Sequence, residues 1–142
     1  MVESGPRSPI RSYEDIEAYQ RAMRLITAVH AIVKTLPGYE KHDLAAQMRR
    51  ASKSVPANIA EGYARRQSTK EFKHYLRMAM ASANEMEVHL KIAGELGYLS
   101  REQVTEYAKE YNIIGRQLNR LSTTWRQLQH PASSLQQSRE GR

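Results

Sequence analysis

At 142 residues the chain is long enough for one domain with a real core and too short for two. The absence of cysteine excludes disulfides, thiolate metal sites and a cysteine nucleophile, and fits a reducing cytoplasm. No run of about 18 apolar residues offers a membrane span, and the opening MVESGPRSPIRS has no apolar stretch of a signal peptide.

The net charge of +7 is regional. Between Lys41 and Arg77 stand nine bases and only three acids, so that segment holds +6 and all the rest +1. Basicity gathered in this way implies an electrostatic surface, and phosphate polymers are the commonest partner of such a surface. A solvated face that keeps the protein soluble is the plainer reading of the same charges.

Residues 1–12, with two prolines, a glycine and three serines, read as a disordered arm. Residues 13–128 read as the folded domain, and 129–142 as a disordered polar tail. A first helix is predicted from near Glu14, because Glu14, Asp15 and Glu17 crowd its first turn, where the helix dipole favours acids. Ile16, Tyr19, Met23, Ile26, His30, Val33 and Leu36 then recur at three and four, and Pro37–Gly38 ends the helix. His30 inside that stripe reads as a core histidine with one satisfied hydrogen bond.

A second helix runs from about His42 to Ala64 or Arg65, with Asp43 placed to serve its first turn. Leu44, Met48, Ala51, Val55, Ile59 and Gly62 line one side of it, while Arg49, Arg50 and Lys53 stand off that line. Pro56 removes a backbone donor and crowds the carbonyl of Ser52, at about 3 kcal/mol in an ordinary helix interior. A kink is expected there, with Ser52, Ser54 and Asn58 close enough to satisfy the freed groups.

Ser68–Thr69–Lys70–Glu71 has the form of a capping box, so a third helix starts at about Thr69. Its apolar line is Phe72, Leu76, Ala79, Ala83, Met86, Leu90 and Ala93, and Gly97 closes it. Ser100–Arg101–Glu102–Gln103 is a second box. The fourth helix then carries Val104, Tyr107, Tyr111, Ile114, Leu118, Leu121, Trp125 and Leu128 until Pro131 stops it. Gly115 in its middle marks a place where something approaches closely. Four amphipathic helices with short connections predict an all-α fold, an antiparallel up-down-up-down four-helix bundle with a kinked second helix.

No residue set in the sequence supports catalysis. A di-iron site needs Glu-x-x-His on two helices, and only Glu71–Phe72–Lys73–His74 matches, with Glu71 already assigned to a cap. Glu85 and His89 form an i, i+4 pair that suits a local hydrogen bond better than a metal or an acid–base couple. No Gly-rich phosphate loop, G-x-S-x-G or H-E-x-x-H occurs. A non-enzymatic protein without metal or cofactor is therefore expected; a metal-dependent enzyme would rest on His30, His74, Glu85 and His89 alone. Helices two and three carry additional apolar residues, Ala45, Val55 and Tyr63 on one, Tyr75, Met78 and Ile92 on the other. These point either to an oligomer or to wide buried stripes.

The stretch Gln47–Gly62, QMRRASKSVPANIAEG, combines with Tyr13–Glu14–Asp15–Ile16, Tyr19–Gln20, Ser68, Glu71–Phe72 and Glu95–Leu96–Gly97–Tyr98–Leu99 in a pattern that resembles the bacterial four-helix-bundle proteins encoded in intervening sequences of 23S ribosomal RNA genes. The resemblance spans about residues 13–128. It implies a four-helix bundle assembling as a homopentamer, similar to the basic accessory protein of diversity-generating retroelements, which binds nucleic acid and a reverse transcriptase. It brings no catalytic residues. Lys53 departs from the pattern, at a place where the family is often apolar.

The expectation is thus an oligomeric nucleic-acid-binding or scaffold protein of the cytoplasm, holding the phosphates of RNA or DNA on Arg49, Arg50, Lys53, Arg65, Arg66, Lys70 and Lys73. The alternative is an accessory subunit that recruits a protein partner.

Overall fold

Ser12 opens the described fold. Its hydroxyl accepts from the Glu14 N–H at 3.1 Å while the Asp15 carboxylate accepts from the N–H groups of Ser12 and Arg11 at 3.1 and 2.8 Å. This box holds a single 3-10 turn, Tyr13–Asp15. Ile16 then leaves the helical region (φ −78°, ψ 121°) and is buried. The first helix, α1, therefore spans Glu17–Thr35 rather than beginning near Glu14, because the acids expected to charge its first turn instead help to form a turn of their own.

The structure is a computed structural model and describes residues 9–129. The expected arm and tail fall outside the described residues except for 9–12 and 129, as does the side chain of Leu128. The other helices are α2 (Leu44–Ala64), α3 (Thr69–Glu95) and α4 (Arg101–Gln129), and the described residues contain no strand. Each helix packs on its neighbours in the chain, and α1 closes the ring against α4. This is the antiparallel four-helix bundle that the periodicity and short connections predict. The α2–α3 and α3–α4 contacts are the most extensive and α1–α4 the thinnest. That thin seam is pinned by Arg21 and Glu110, 2.7 Å apart and both partly buried.

The predicted apolar lines of α2, α3 and α4 form the core, whereas α1 turns Ala18, Ala22, Leu25, Val29 and Ile32 inward and leaves Met23 of its predicted line 46% exposed. Leu25 and Val29 of α1, Met48, Val55 and Ile59 of α2, Leu76, Met86 and Leu90 of α3, and Tyr111, Ile114 and Leu118 of α4 are all buried. Ala45, Val55 and Tyr63 also belong to this core, so the extra stripe on α2 is simply wide. The one on α3 is not: Met78 and Ile92 are each 41% exposed. Gly62 and Gly94 bring helices together, since a Cβ on Gly62 would lie 2.8 Å from Cβ of Tyr75, and one on Gly94 2.7 Å from Cγ2 of Val104. Gly115 does the opposite of what its position led us to expect, because a Cβ there meets nothing within 4 Å.

Helix ends follow local chemistry. Ser100 and Gln103 form a reciprocal box, with Ser100 N–H donating to Gln103 Oε1 at 2.9 Å and Gln103 N–H to Ser100 Oγ at 3.1 Å. Ser68 accepts from the Glu71 N–H at 3.2 Å, but the Glu71 carboxylate turns to Arg65 instead of closing the second half. Gly97 adopts φ +80°; Tyr98 N–H then reaches Ala93 C=O at 2.9 Å and Gly97 N–H reaches Gly94 C=O at 3.0 Å, the Schellman arrangement. Asp43 gives α2 no side-chain cap. Glu40 supplies one, its buried carboxylate accepting from Leu44 N–H at 3.3 Å.

Pro56 lies buried within α2, which runs through it from Leu44 to Ala64. Asn58 Nδ2 donates to the Ser54 carbonyl and hydroxyl, both at 2.9 Å, and Ser52 donates to the Arg49 carbonyl at 3.1 Å. None of these side chains reaches the carbonyl of Ser52, the group that Pro56 was expected to free. The Ser54 hydroxyl instead meets that of Ser82 on α3 at 2.8 Å.

Candidate nucleic-acid interface

The seven candidate cations do not form one patch. Arg49 and Arg65 lie sixteen residues apart on α2 and its cap, which at 1.5 Å per residue is about 24 Å. Arg49 and Arg50 therefore sit toward one end of the bundle, with Lys53 near the middle of α2. Arg65, Arg66, Lys70 and Lys73 sit at the other, around the turn between α2 and α3.

In the first group, Arg49 is partly buried and donates to the Lys41 carbonyl at 3.0 Å, fixing the start of α2. Arg50 and Lys53 are exposed. The departure of Lys53 from the family pattern is thus accommodated by solvent and not by the core.

The second group rests on aromatic residues. Trp125 is buried, with its ring 4.4 Å from that of Phe72 and 6.3 Å from that of Tyr63. The Arg66 guanidinium lies 4.2 Å from the centre of the Tyr63 ring and donates to the Tyr63 carbonyl at 3.0 Å. Arg65 lies 5.3 Å from the Tyr75 ring centre and is bonded to Glu61 at 2.8 Å and Glu71 at 3.3 Å. Those hydrogen bonds push its pKa above the ordinary guanidinium value. With two carboxylates on it, Arg65 offers a phosphate little net charge. Lys70 and Lys73 make no ion pair among the described residues.

Arg77 belongs with them. Lys70, Lys73 and Arg77 recur at three and four along α3 and so share one flank. Arg77 is exposed and also makes no ion pair among the described residues. It was counted in the charged segment but not among the candidate contacts. Its spacing from Lys70 and Lys73 was the available signal. Arg66, Lys70, Lys73 and Arg77 remain as the candidate cations at this end without a carboxylate partner among the described residues, and of these Arg66 lies over an aromatic ring.

The histidines and their partners take local roles. His30 Nδ1 lies 3.0 Å from the Ile26 carbonyl of its own helix, partly buried. His89 Nε2 pairs with Glu85 at 2.9 Å. Glu71 and His74 are both exposed, with Glu71 held by Arg65. Among the described residues no three His, Asp or Glu side chains converge as a metal site. At the opposite end, a chain that periodicity does not reveal links the two connections. Tyr98 donates to Glu40 at 2.8 Å and its hydroxyl lies 3.0 Å from that of Tyr39. The bond with Tyr39, then that with Glu40, pushes the Tyr98 phenol well above its ordinary range.

These features define a four-helix bundle with cations gathered around the turn between α2 and α3. The chain belongs to the 23S rRNA-intervening sequence protein family, whose pattern matches residues 14–120. It is similar in structure to a protein of unknown function of the S23 ribosomal protein family from Bacteroides thetaiotaomicron, with a TM-score of 0.68 and 25% identity over 75% of this chain and 96% of that one. No curated protein matches it. Neither the family description nor the similar structure is associated with an enzymatic activity. No described helix is long and apolar enough to cross a membrane.

Proposed function

We propose that this is a non-enzymatic, oligomeric nucleic-acid-binding or scaffold protein of the cytoplasm that holds the phosphate backbone of RNA or DNA at the α2–α3 end. The observation that carries this reading is the flank Lys70, Lys73 and Arg77, three cations on one side of a helix with no carboxylate on them among the described residues. Such a line contacts phosphates without reading sequence, so binding is weakly specific and strongly salt-dependent. Three phosphate contacts on one protomer give about a 40-fold loss of affinity between about 50 and 200 mM salt, and several protomers multiply both affinity and slope.

Gel retardation of structured RNA and duplex DNA tests it. Lys70, Lys73 and Arg77 replaced together by Gln should abolish retardation at about 50 mM salt. Arg49, Arg50 and Lys53 replaced together remove the same charge and should leave most of it. Equal losses in the two triple variants would mean that only net charge matters, and the interface would be wrong.

The exposed apolar flank of α3 supports the oligomeric part of the proposal and the protein-recruiting alternative. Met78, Val88, Ile92 and Leu96 are 41–53% exposed and fall within one side of the helix. The proposed assembly is the homopentamer that the family resemblance implies, and light scattering measures it. A protein partner retained from native lysate after nuclease treatment would favour recruitment over nucleic-acid binding.

A further inference from the structure

The cationic flank of α3 does not end at Arg77. The same three–four spacing continues through Met80, Asn84 and Glu87, and those residues form one wall of a cleft between α3 and α4 of about 270 Å³. Pockets for drug-sized ligands measure about 300–1,000 Å³, so this smaller, open cleft suits one small group. Across it stand Asn112, Gly115 and Asn119 of α4. The missing side chain of Gly115 keeps it open, since a Cβ there has no neighbour within 4 Å.

The lining is chemically specific. Each asparagine carries a carbonyl acceptor beside an amide donor, and three exposed ones line the open cleft from two helices. Tyr111, also in the wall, is fully buried, and its enclosed hydroxyl has no hydrogen-bond partner among the described residues and is not open to an occupant of the cleft. Buried hydroxyls are ordinarily bonded. Glu87 would repel a phosphate but accepts readily from an amino group, while Arg116 stands at the same cleft as a donor. The arrangement suits a neutral planar group with an exocyclic amine and a ring acceptor.

We propose that this cleft receives an unpaired adenine base of a single-stranded RNA or DNA whose phosphates lie along Lys70, Lys73 and Arg77. The inference rests on the nucleic-acid reading above and deepens it. A carboxamide pairs with the adenine amino group and N7 through two bonds. Uracil has no amino group for Glu87, and a duplex has no free base to offer.

Fluorescence anisotropy with labelled oligoadenylate, oligouridylate and oligodeoxyadenylate at about 50 mM salt tests this on the full chain. Wild type should prefer the adenine strands by about tenfold, the scale of one good bidentate pair; equal binding of the ribo and deoxy forms assigns the preference to the base, and a preference for one assigns the sugar a share. Gly115→Leu fills the cleft at a site with free space and should remove the preference while leaving duplex binding unchanged. Asn112→Ala should do the same without adding bulk. An adenine preference that persists in both variants, or no preference in wild type, overturns the proposal. If wild type binds no strand at all, the phosphate interface fails and the cleft is read separately: adenosine should still shift the side-chain amide resonances of Asn84, Asn112 and Asn119, and unshifted resonances overturn the cleft as well.

Discussion

Gly62 and Gly115 both interrupt helices, yet replacing each by alanine should move stability in opposite directions. Alanine is favoured over glycine in a helix interior by about 1 kcal/mol, and at Gly115 nothing opposes that gain, because the added Cβ has open space. At Gly62 it would lie 2.8 Å from Cβ of Tyr75 and 3.3 Å from the carbonyl oxygen of Phe72. Carbon atoms rest at about 3.5–4.0 Å, so α2 and α3 must part by roughly 0.7 Å or more. Neither neighbour is the free end of a side chain that can swing away. Overpacking costs about 1–3 kcal/mol, and parting these helices also loosens Phe72 against Trp125, so the upper half of that range applies. The net expectation is a loss of about 1–2 kcal/mol for Gly62→Ala and a gain of about 1 kcal/mol for Gly115→Ala. Urea unfolding followed by circular dichroism at one protein concentration separates them. With a slope of about 1–3 kcal/mol per molar, the two midpoints should differ by on the order of 1 M. A Gly62→Ala midpoint at or above wild type, or two shifts of the same sign, would refute the close-approach argument.

Glu40→Ala removes both the cap on Leu44 N–H and the acceptor for the Tyr98 hydroxyl; it should cost about 2 kcal/mol, and Glu40→Gln, which keeps an acceptor, distinctly less in thermal unfolding. Alkali should weaken the fold through Tyr111 and Tyr98. Burial raises the Tyr111 phenol, and the bonds to Tyr39 and Glu40 raise Tyr98. The folded state therefore favours the neutral phenols, a contribution fully present below the unfolded value of about pH 10 and lost as pH rises through the higher folded values. Tyr111→Phe should flatten that alkaline fall in urea midpoints. At neutral pH it should raise stability by about 1 kcal/mol, because it deletes a buried hydroxyl without a partner among the described residues.

Much of the fold was legible because its signals are local and periodic. The lines Phe72–Leu76–Ala79–Ala83–Met86–Leu90 and Tyr111–Ile114–Leu118–Trp125 are core, and the Ser100–Gln103 box and Gly97 mark their helix ends. What sequence spacing does not reveal is which of several neighbouring groups a side chain chooses. Asp15 takes the N–H groups of Arg11 and Ser12 and so delays α1. Glu40, one residue outside the basic segment, caps α2 where Asp43 was expected to. Glu71 leaves its box for Arg65. The candidate site was only partly legible for the same reason. Counting charges found the basic segment, but the length of α2 divides it, and the pairing of Arg65 with Glu61 and Glu71 depends on a turn whose shape the sequence does not spell out.

Local rules are broken at several places in this chain, and most of the exceptions have a structural return. Gly62 and Gly94 allow close helix contact, Gly97 supplies a left-handed cap, and Pro56 is buried within α2. Gly115 has none, giving up helix propensity over open space, and the Tyr111 hydroxyl is one of several buried polar atoms without a partner among the described residues, with Arg21 Nε, His89 Nδ1 and Gln117 Oε1. Gly115 and Tyr111 both stand at the same cleft, whose α3 wall of Met80, Asn84 and Glu87 continues the spacing of Lys70, Lys73 and Arg77. Sequences that are otherwise locally consistent depart from consistency at functional or strained sites. No left-handed non-glycine residue or cis peptide bond is present among the described residues, so backbone strain does not account for the pair. The proposed functional surface on the α3–α4 side of the bundle, rather than on the basic stretch of α2, rests on Gly115 over open space and on cations without carboxylate partners among the described residues.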